Sequence, residues 1–334
     1  MYPEVEEASI AHILGFGGYV PEKVMTNADW AAIVDTSEEW LVQRTGIRER
    51  RIASESQSTV DLCEPAALLA IADASLDIAD IGEVIVATDT PEARIPDTAS
   101  YLQHRLGLGE VPAYDLAGSG CAGFVMALDV ARARLALEPK NILVLGVEII
   151  SKVIAQDDRA TSVLFGDGAG AIVLGPGPGP AEVIDAVGGT DGSMTEILKL
   201  DIGGTRYPFG PDVLASGAYN QLIMDGSQVF RHAVKRMSAS TLELLQRVGA
   251  SVDNIDLLIP HQANQRIIDA VGKRIGIGTD RVYVNVDRLG NTGSGSVPIA
   301  LWEAYSAGQI SKGDFVVLTA FGAGFHWASA ALQF

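Results

Sequence analysis

The feature that most constrains the fold of this 334-residue chain is an internal duplication. Four segments of the first half return in the same order about 170 residues later. The matched pairs are SIAHILGFGGYVP with PAEVIDAVGGTDG, ADIGEVIVATDT with DNIDLLIPHQA, residues 119–131 with 291–304, and NILVLGVE with DFVVLTAFGAG. One such match is weak evidence because buried strands resemble one another. Four in the same order predict two similar lobes related by a pseudo-twofold axis.

Apolar runs typical of buried strands alternate with longer helical patterns in both halves, which predicts an α/β fold with a mostly parallel sheet. The expected strands are 81–87, 142–147, 257–259 and 315–319, and the expected helices are 59–75, 122–137, 228–248, 265–275 and 297–307. The run GPGPGP at 175–180 cannot form a helix or a central strand, because proline lacks an N–H group. We therefore expect two lobes, 1–174 and 175–334. Residues 201–219, rich in Gly and Pro, predict a long loop of the kind that covers active sites.

The charge balance, the cysteine count and the apolar runs exclude several classes of function. Lys and Arg number 24 against 42 Asp and Glu, and this charge of -18 argues against binding to nucleic acid or anionic membranes. Cys63 and Cys121 lie too far apart for a short metal motif, and they suggest no disulfide framework. Residues 1–7 hold three glutamates and no basic residue, and no apolar run reaches about 20 residues. We expect a cytoplasmic protein.

Cys121 is the strongest candidate for a reactive group. It lies in YDLAGSGCAGFVMALDVARA, where an extended piece ends at Leu116 and a helix starts just after the cysteine. The N–H groups and the positive dipole end of a helix N-terminus favour a thiolate. The alternative is a buried structural cysteine, which is the interpretation we give to Cys63 in the middle of an amphipathic helix.

His261 and Asn291 are the candidate partners of this cysteine. His261, in IPHQANQRI, stands at the end of a strand, and Asn291, in LGNTGSGSVPIAL, roughly mirrors Cys121 in the second half. An asparagine before a helix usually caps it, so each residue alone is ambiguous. Open α/β sheets bind ligands at strand ends, however, and the duplication predicts that all three residues meet there. His326 follows a Gly-rich turn and is a further candidate. The histidines expected to be solvated or locally hydrogen-bonded are His12, His104 and His232.

Two Gly-rich segments could bind an anion through their backbone N–H groups. In FGAGF, at 321–325, the backbone N–H of Ala323 could form an oxyanion hole with that of Cys121, and a simple tight turn is the alternative. FGDGAGAIVLG, which begins at Phe165, lacks the Lys-Ser/Thr pair of a phosphate-binding loop. We expect this segment to allow close backbone packing where the lobes meet.

Taken together, CAGF, HQAN, GNT…SVP, FGDGAGA and RTGIRERR resemble the β-ketoacyl-acyl-carrier-protein synthase III family of the thiolase superfamily, from about Gly15 to Phe334. The resemblance implies a thiolase-like, five-layered αβαβα fold, a homodimer, and a catalytic triad of Cys121, His261 and Asn291. It implies that Cys121 takes an acyl group from acyl-CoA. A malonyl thioester on acyl carrier protein then loses carbon dioxide and attacks the acyl group. No metal or redox cofactor is implied.

The same resemblance implies further contacts. Those with coenzyme A are Trp40, Arg44, Arg159 and Asn264, with the adenine stacked between tryptophan and arginine. The patch for an acidic carrier protein is Arg266, Lys273 and Arg274, with Lys235 as an extension. The acyl pocket includes Phe321 and, across a subunit interface, Ile95. Surface packing or a solvated helix face is the ordinary explanation of such side chains.

Departures from the family pattern leave the primer and the pathway open, whether fatty-acid or polyketide. AGSG precedes the cysteine where members often carry alanines, Ala323 replaces a usual glycine, and His326 stands where a smaller polar residue is common. One alternative is an acyltransferase that passes the acyl group to an alcohol or amine without decarboxylation. Another is a catalytically silent partner subunit. An intact triad argues against the second, and Asn291 favours condensation over the first. A cysteine hydrolase fits poorly, because nothing acidic is placed to orient His261.

Overall fold

The computed structural model describes residues 10–334, so the acidic segment 1–7 lies outside the described residues. The strands are β1 (His12–Tyr19), β2 (Val24–Thr26), β3 (Glu49–Arg51), β4 (Ile81–Ala87), β5 (Ala113–Leu116), β6 (Asn141–Glu148), β7 (Gly168–Gly175), β8 (Ala181–Thr190), β9 (Leu198–Lys199), β10 (Ile223–Met224), β11 (Leu257–Pro260), β12 (Phe315–Gly322) and β13 (His326–Gln333). The α-helices are α1 (Asn27–Ala31), α2 (Glu38–Thr45), α3 (Thr59–Asp73), α4 (Thr98–Arg105), α5 (Gly123–Leu137), α6 (Pro211–Ser216), α7 (Gly226–Arg247), α8 (Gln265–Ile275), α9 (Val286–Leu289) and α10 (Ser296–Ser306).

Strand order confirms the duplication. Nine strands form one sheet in the order β11-β12-β13-β8-β1-β7-β6-β4-β5. The series β1-β7-β6-β4 in the first half has the same order as β8-β13-β12-β11 in the second. Among the described residues, the two series join only where β1 meets β8, at His12 with Glu182 and Ile13 with Ala181. We propose that the lobes divide at the turn between β7 and β8, which contains the GPGPGP run.

The helices complete a five-layered arrangement. Helix α3 covers β1 and β7 on one outer face, and α7 covers β8, β12 and β13 on the other, with α8 beside it. Between the two halves of the sheet lie α5, which contacts β4, β6 and β13, and α10, which contacts β1, β7 and β11. The buried side chains of these two central helices belong to one apolar core with residues of both halves. The αβαβα fold expected from the sequence is confirmed.

The prediction of a mostly parallel sheet was wrong. Only β4 with β5, β4 with β6, and β11 with β12 run parallel, and the other five pairs are antiparallel. The connection between β12 and β13 is a three-residue turn, and a parallel crossover needs a dozen residues or more. The expected loop 201–219 also contains a helix, α6, which starts with proline at its first position and ends at Gly217 in the left-handed conformation.

The Gly-rich run after Phe165 allows close packing between the halves, as expected. A Cβ atom on Gly170 of β7 would lie 2.6 Å from the backbone nitrogen of Ile299 in α10. Cys63 is fully buried in α3, which agrees with its structural interpretation. Over residues 10–334, no helix is long and apolar enough to cross a membrane.

Candidate active site

The backbone turn at Cys121 packs directly against the turn that follows β12. Cys121 is the middle residue of a 3₁₀ turn, Gly120–Ala122, that leads into α5. Gly120 has a φ of 57°, and a Cβ atom there would lie 2.4 Å from the backbone nitrogen of Ala323. A Cβ atom on Gly322 would lie 2.2 Å from the nitrogen of Cys121. Only glycine fits at Gly120 and Gly322. Because neither residue has a side chain, the N–H groups of Cys121 and Ala323, which are expected to form an oxyanion hole, lie at neighbouring positions.

Asn291, from the second half of the chain, lies close enough to Cys121 to affect the pKa of its thiol. Its backbone N–H donates to the Leu164 carbonyl at 2.9 Å, and its Oδ1 atom accepts from the Gly293 N–H at 2.9 Å. A hydrogen bond from its side chain lowers the pKa of Cys121, as only a donor to the sulfur can. With Oδ1 engaged by Gly293, the amide N–H₂ group is the part of Asn291 that faces the cysteine. The side chain therefore does more than cap a helix.

The residue that mirrors Cys121 in the duplication is Ser294. Cys121 lies two residues before the start of α5, and Ser294 lies two residues before the start of α10. Asn291, which was expected roughly to mirror the cysteine, therefore lies three residues before the position that does. The Ser294 hydroxyl donates to the Gly120 carbonyl at 3.0 Å, so the second turn supports the first.

His261 is a buried, neutral imidazole at the end of β11. Its backbone N–H donates to the Thr319 carbonyl at 2.8 Å, and only 2% of the residue is exposed. Burial lowers the pKa of His261 to about 3, so the ring stays uncharged at neutral pH. Among the residues that the structure describes, its Nδ1 atom has no hydrogen-bond partner. A ring of this kind can donate a hydrogen bond without acting as a strong acid.

The N–H group at the start of the helix favours the thiolate form of Cys121, but larger effects act in the opposite direction. Burial raises the pKa of the Cys121 thiol, and the charges of Glu148 and Asp89 raise it further. The N–H of Cys121 and the side chain of Asn291 act in the opposite direction, but more weakly. Cys121 keeps some contact with solvent, which moderates the effect of burial. The resting group is therefore a thiol at neutral pH.

Sequence reasoning missed the two carboxyl groups beside Cys121. Glu148 ends β6 and is 2% exposed, and it accepts hydrogen bonds from the Thr90 hydroxyl at 2.6 Å and the Asp89 N–H at 3.0 Å. Burial, and then the charge of Asp89, raise the pKa of Glu148 to about 8. The available signal was a glutamate that closes the otherwise apolar strand NILVLGVE, and a strand end is where ligands bind.

The structure brings three of the four expected coenzyme A residues into one region. Trp40 and Arg44 lie on the same short helix, α2, and the Arg159 guanidinium stands 4.3 Å over the Trp40 ring. Asn264 is the N-cap of α8, where its Oδ1 atom accepts from the Ile267 N–H at 3.0 Å. Asn264 therefore caps α8 through its Oδ1 atom, and the cap does not use its amide N–H₂ group.

The expected carrier-protein residues share the exposed side of one helix. Arg266, Lys273 and Arg274 of α8 are all exposed, and the Arg266 guanidinium lies 5.7 Å from the Phe230 ring of α7. Helix α7 adds two more exposed basic residues, Lys235 and Arg231, and Arg231 was missed because it was considered only as the neighbour of His232.

The remaining candidates separate into buried and exposed groups. Phe321 is buried, with its ring 4.7 Å from that of Phe325, whereas Ile95 is 89% exposed. The Nδ1 atom of His326 hydrogen-bonds the Thr190 hydroxyl at 2.8 Å, and the ring lies close enough to Asp89 to oppose, in part, the rise that burial gives to the pKa of that carboxyl. His326 thus lies near the site. Within residues 10–334, no group of three or more His, Cys, Asp or Glu side chains is arranged to hold a metal ion.

A two-lobed αβαβα fold, with a cysteine before a central helix and polar groups from the second lobe beside it, defines a thiolase-like condensing enzyme. Comparisons with known proteins agree. Residues 114–192 match the family model described as 3-oxoacyl-[acyl-carrier-protein (ACP)] synthase III, and residues 245–334 match its C-terminal counterpart. The β-ketoacyl-[acyl-carrier-protein] synthase III of Roseiflexus castenholzii is 45% identical, with 98% of each chain covered. The chain belongs to the β-ketoacyl-[acyl-carrier-protein] synthase III family and is an acyl-transferring enzyme.

Solved structures support the same assignment. The synthase III of Thermus thermophilus has a TM-score of 0.87 and 44% identity, covering 96% of this chain and 98% of its own. The priming β-ketosynthase of the R1128 polyketide biosynthetic pathway has a TM-score of 0.89 and 33% identity, covering 100% of this chain and 99% of its own. This chain therefore resembles both a β-ketoacyl-acyl-carrier-protein synthase and a polyketide priming enzyme.

Proposed function

We propose that this enzyme joins an acyl group from acyl-CoA to a malonyl unit carried by acyl carrier protein. The Cys121 sulfur attacks the thioester carbonyl, a new S–C bond forms, and coenzyme A leaves as its thiol. Malonyl carrier protein then loses carbon dioxide, and the electron pair of the broken bond forms an enolate. The enolate carbon attacks the acyl group, the S–C bond breaks, and a 3-oxoacyl product leaves Cys121 free.

The observation that carries this proposal is the Asn291 amide at Cys121, together with a neutral His261 from the same lobe. Decarboxylation places negative charge on the thioester oxygen of the malonyl unit, and donors aimed at that oxygen stabilise it. Asn291 and His261 can donate hydrogen bonds without protonating the carbanion, since neither is a strong acid. Transfer of an acyl group to an alcohol or amine would need no such donors. The adjacent N–H groups of Cys121 and Ala323 suit the other oxyanion, which forms when the acyl carbonyl is attacked.

The same proposal gives roles to the outer residues. Trp40 and Arg159 would enclose the adenine ring, Arg44 would meet the phosphates, and the Asn264 amide would contact the pantetheine arm. Arginine and tryptophan suit a flat, charged ligand. The basic side of α8 (Arg266, Lys273, Arg274), extended by Lys235 and Arg231 of α7, would bind an acidic carrier protein. On a chain of net charge -18, such a cluster is an uncommon local feature. The reaction as written needs no metal or redox cofactor.

We also propose that the enzyme is a homodimer. Strand β5 lies at the edge of the nine-stranded sheet, so that, within residues 10–334, one side of its backbone has no strand beside it. Ile95, in the segment between β4 and α4, exposes almost its whole side chain. Both features suit a second copy, which would receive Ile95 in its acyl pocket beside Phe321. The size of Ile95 would then help to set the length of the primer.

The test is intact-protein mass spectrometry after incubation with a panel of acyl-CoA thioesters. An acyl adduct is expected on the wild-type enzyme and on Cys63→Ala, the matched control, and none on Cys121→Ala. Malonyl carrier protein should then discharge the adduct as a 3-oxoacyl product with release of carbon dioxide. An adduct that moves only to alcohols or amines would replace condensation by simple acyl transfer. No adduct with any thioester would refute Cys121 as the nucleophile and favour a silent subunit.

A further inference from the structure

Asp89 holds the backbone that leads to Cys121. It lies two residues beyond the end of β4, and its Oδ1 atom accepts the Gly118 N–H at 2.8 Å. Burial raises the pKa of Asp89, and the N–H groups of Gly118 and Gly120 oppose that rise. Gly118 and Gly120 have φ values of 72° and 57°, a region that other residues rarely adopt. Two N–H groups of one glycine turn therefore converge on a single carboxylate.

The second lobe performs the same task with a neutral group. Ile85 of β4 pairs with Tyr114 of β5, and Leu258 of β11 pairs in the same parallel sense with Val282. In the first lobe, Asp89 follows Ile85 by four residues and Gly118 follows Tyr114 by four. In the second lobe, Gln262 and Val286 follow Leu258 and Val282 by the same number. Gln262 is buried, and its Oε1 atom accepts the N–H groups of Asn285 at 2.9 Å and Val286 at 3.2 Å. An acceptor at this position fixes the neighbouring turn in both lobes, and the amide shows that a charge is not required.

We propose that Asp89 is a positioning residue that holds the Cys121 turn through Gly118. The proposal follows from its hydrogen bond to the Gly118 N–H and from the matching role of Gln262 in the second lobe. Only the turnover arm of the test below rests on the proposed function.

Glu148, at the end of β6, is a carboxyl group close to Asp89, whose N–H it accepts at 3.0 Å. Burial, and then the charge of Asp89, raise the pKa of Glu148 to about 8. A change of charge at Asp89 therefore also affects Glu148. Asp89→Asn and Asp89→Ala remove the same charge, so a difference between these two variants reports the lost acceptor oxygen and not the lost charge.

The positioning role is tested by turnover. Asp89→Asn keeps an acceptor oxygen, whereas Asp89→Ala removes it and frees the Gly118 N–H. We expect kcat for 3-oxoacyl product to fall about tenfold or more in Asp89→Ala relative to Asp89→Asn, with the KM for acyl-CoA nearly equal, because a small displacement of the nucleophile costs rate. Equal kcat values for the two variants would overturn the positioning role.

The position of the nucleophile is also tested without any substrate. The rate of Cys121 alkylation by iodoacetamide is measured in Asp89→Ala and Asp89→Asn, with the modified peptide identified by mass spectrometry to separate it from Cys63. We expect the two rates to differ, because only Asp89→Ala frees the Gly118 N–H. Glu110→Gln, which removes an exposed carboxylate before β5, should leave the rate unchanged. Equal alkylation rates in the two Asp89 variants would overturn the positioning role. A wild-type enzyme that accepts no acyl group would instead refute the proposed function and leave this measurement valid.

Discussion

The Cys121 turn and the Ser294 turn have nearly the same backbone and different chemistry. Each is a three-residue 3₁₀ turn before a central helix, and each begins with a glycine, at a φ of 57° for Gly120 and 54° for Gly293. The first exposes a thiol to the site. The second uses its hydroxyl to hold the carbonyl of Gly120. The duplicated frame thus fixes where a side chain can stand, while the residue type decides whether it reacts or supports.

The two lobes also divide the ionisable groups. Cys121, Asp89 and Glu148 belong to the first lobe, and their protonation depends on pH. His261 and Asn291 belong to the second lobe and are neutral in the working pH range. We infer that the first lobe supplies the acylation step and that the second supplies the donors for decarboxylation. The predictions below test this division, beginning with the largest expected effect.

Replacing Asn291 should separate the two steps. In Asn291→Ala we expect condensation to fall about 10²–10³-fold, the usual loss when one donor to a developing oxyanion is removed. Acylation of Cys121 should fall less than about tenfold, because the other oxyanion donors are backbone N–H groups. Single-turnover mass spectrometry of the acyl-enzyme and quantification of the 3-oxoacyl product measure the two rates separately. Equal losses in both steps would show that Asn291 maintains the shape of the site and has no separate part in decarboxylation.

The alkylation rate of Cys121 should depend on pH, because the ionisable groups that raise the pKa of its thiol lie in the same lobe. Since burial and neighbouring charge raise the pKa of Cys121, the thiolate is a minor species at neutral pH. Its population, and with it the alkylation rate, should rise about tenfold per pH unit from pH 7 to 9. A plateau below pH 8 would contradict the resting thiol. As a control, Ser294→Cys in a Cys121→Ala background places a thiol at the matching turn, and it should form no acyl adduct with acyl-CoA.

Alanine at the two matching glycines should have unequal effects on activity. Both substitutions place a side chain at a positive φ, which costs about 1 kcal/mol in each case. At Gly120 the new Cβ meets the backbone nitrogen of Ala323 at 2.4 Å, whereas at Gly293 it meets the Glu148 side chain at 2.4 Å. We expect Gly120→Ala to lose about tenfold or more in acylation rate and Gly293→Ala clearly less. Thermal unfolding checks that both variants fold. Similar acylation rates in the two variants would show that both turns affect the position of the nucleophile equally.

Many strands and helices could be predicted because each depends on a local pattern of apolar and polar residues. Strand β4 and helix α8 have the predicted bounds, since a continuous apolar run and a strongly amphipathic stretch each have one favourable arrangement. Strand direction could not be predicted, because it depends on connections whose path is set by tertiary packing. The antiparallel return of β7 beside β6 follows a long excursion without a crossover helix, and no period in the sequence marks that path.

The site divides in the same way. Cys121, His261 and Asn291 could be found because they stand at strand ends or helix starts that the duplication makes equivalent. Asp89 and Glu148 could not, because their importance arises from proximity between residues 59 positions apart. The net shift in the pKa of Cys121 could not be predicted for a related reason. A helix N-terminus is visible in the sequence, but burial and the two carboxyl groups, which outweigh it, are visible only in three dimensions.

The smallest effect expected is that of Ser294→Ala, which removes the hydroxyl that joins the two turns. The Ser294 Oγ atom donates to the Gly120 carbonyl at 3.0 Å in a buried setting, and its loss leaves that carbonyl with one partner fewer. A hydrogen bond of this kind contributes about 1 kcal/mol to the free energy of unfolding. We expect a loss of that size in denaturant unfolding and a fall of roughly two- to fivefold in acylation rate, because the oxyanion N–H of Cys121 follows Gly120 directly. Ser193→Ala, which removes an exposed hydroxyl that donates to the half-buried Asp191, is a control. If Ser294→Ala lowers stability but leaves acylation unchanged, the second turn stabilises the fold without positioning the nucleophile, and the two lobes are less closely coupled than their shared backbone implies.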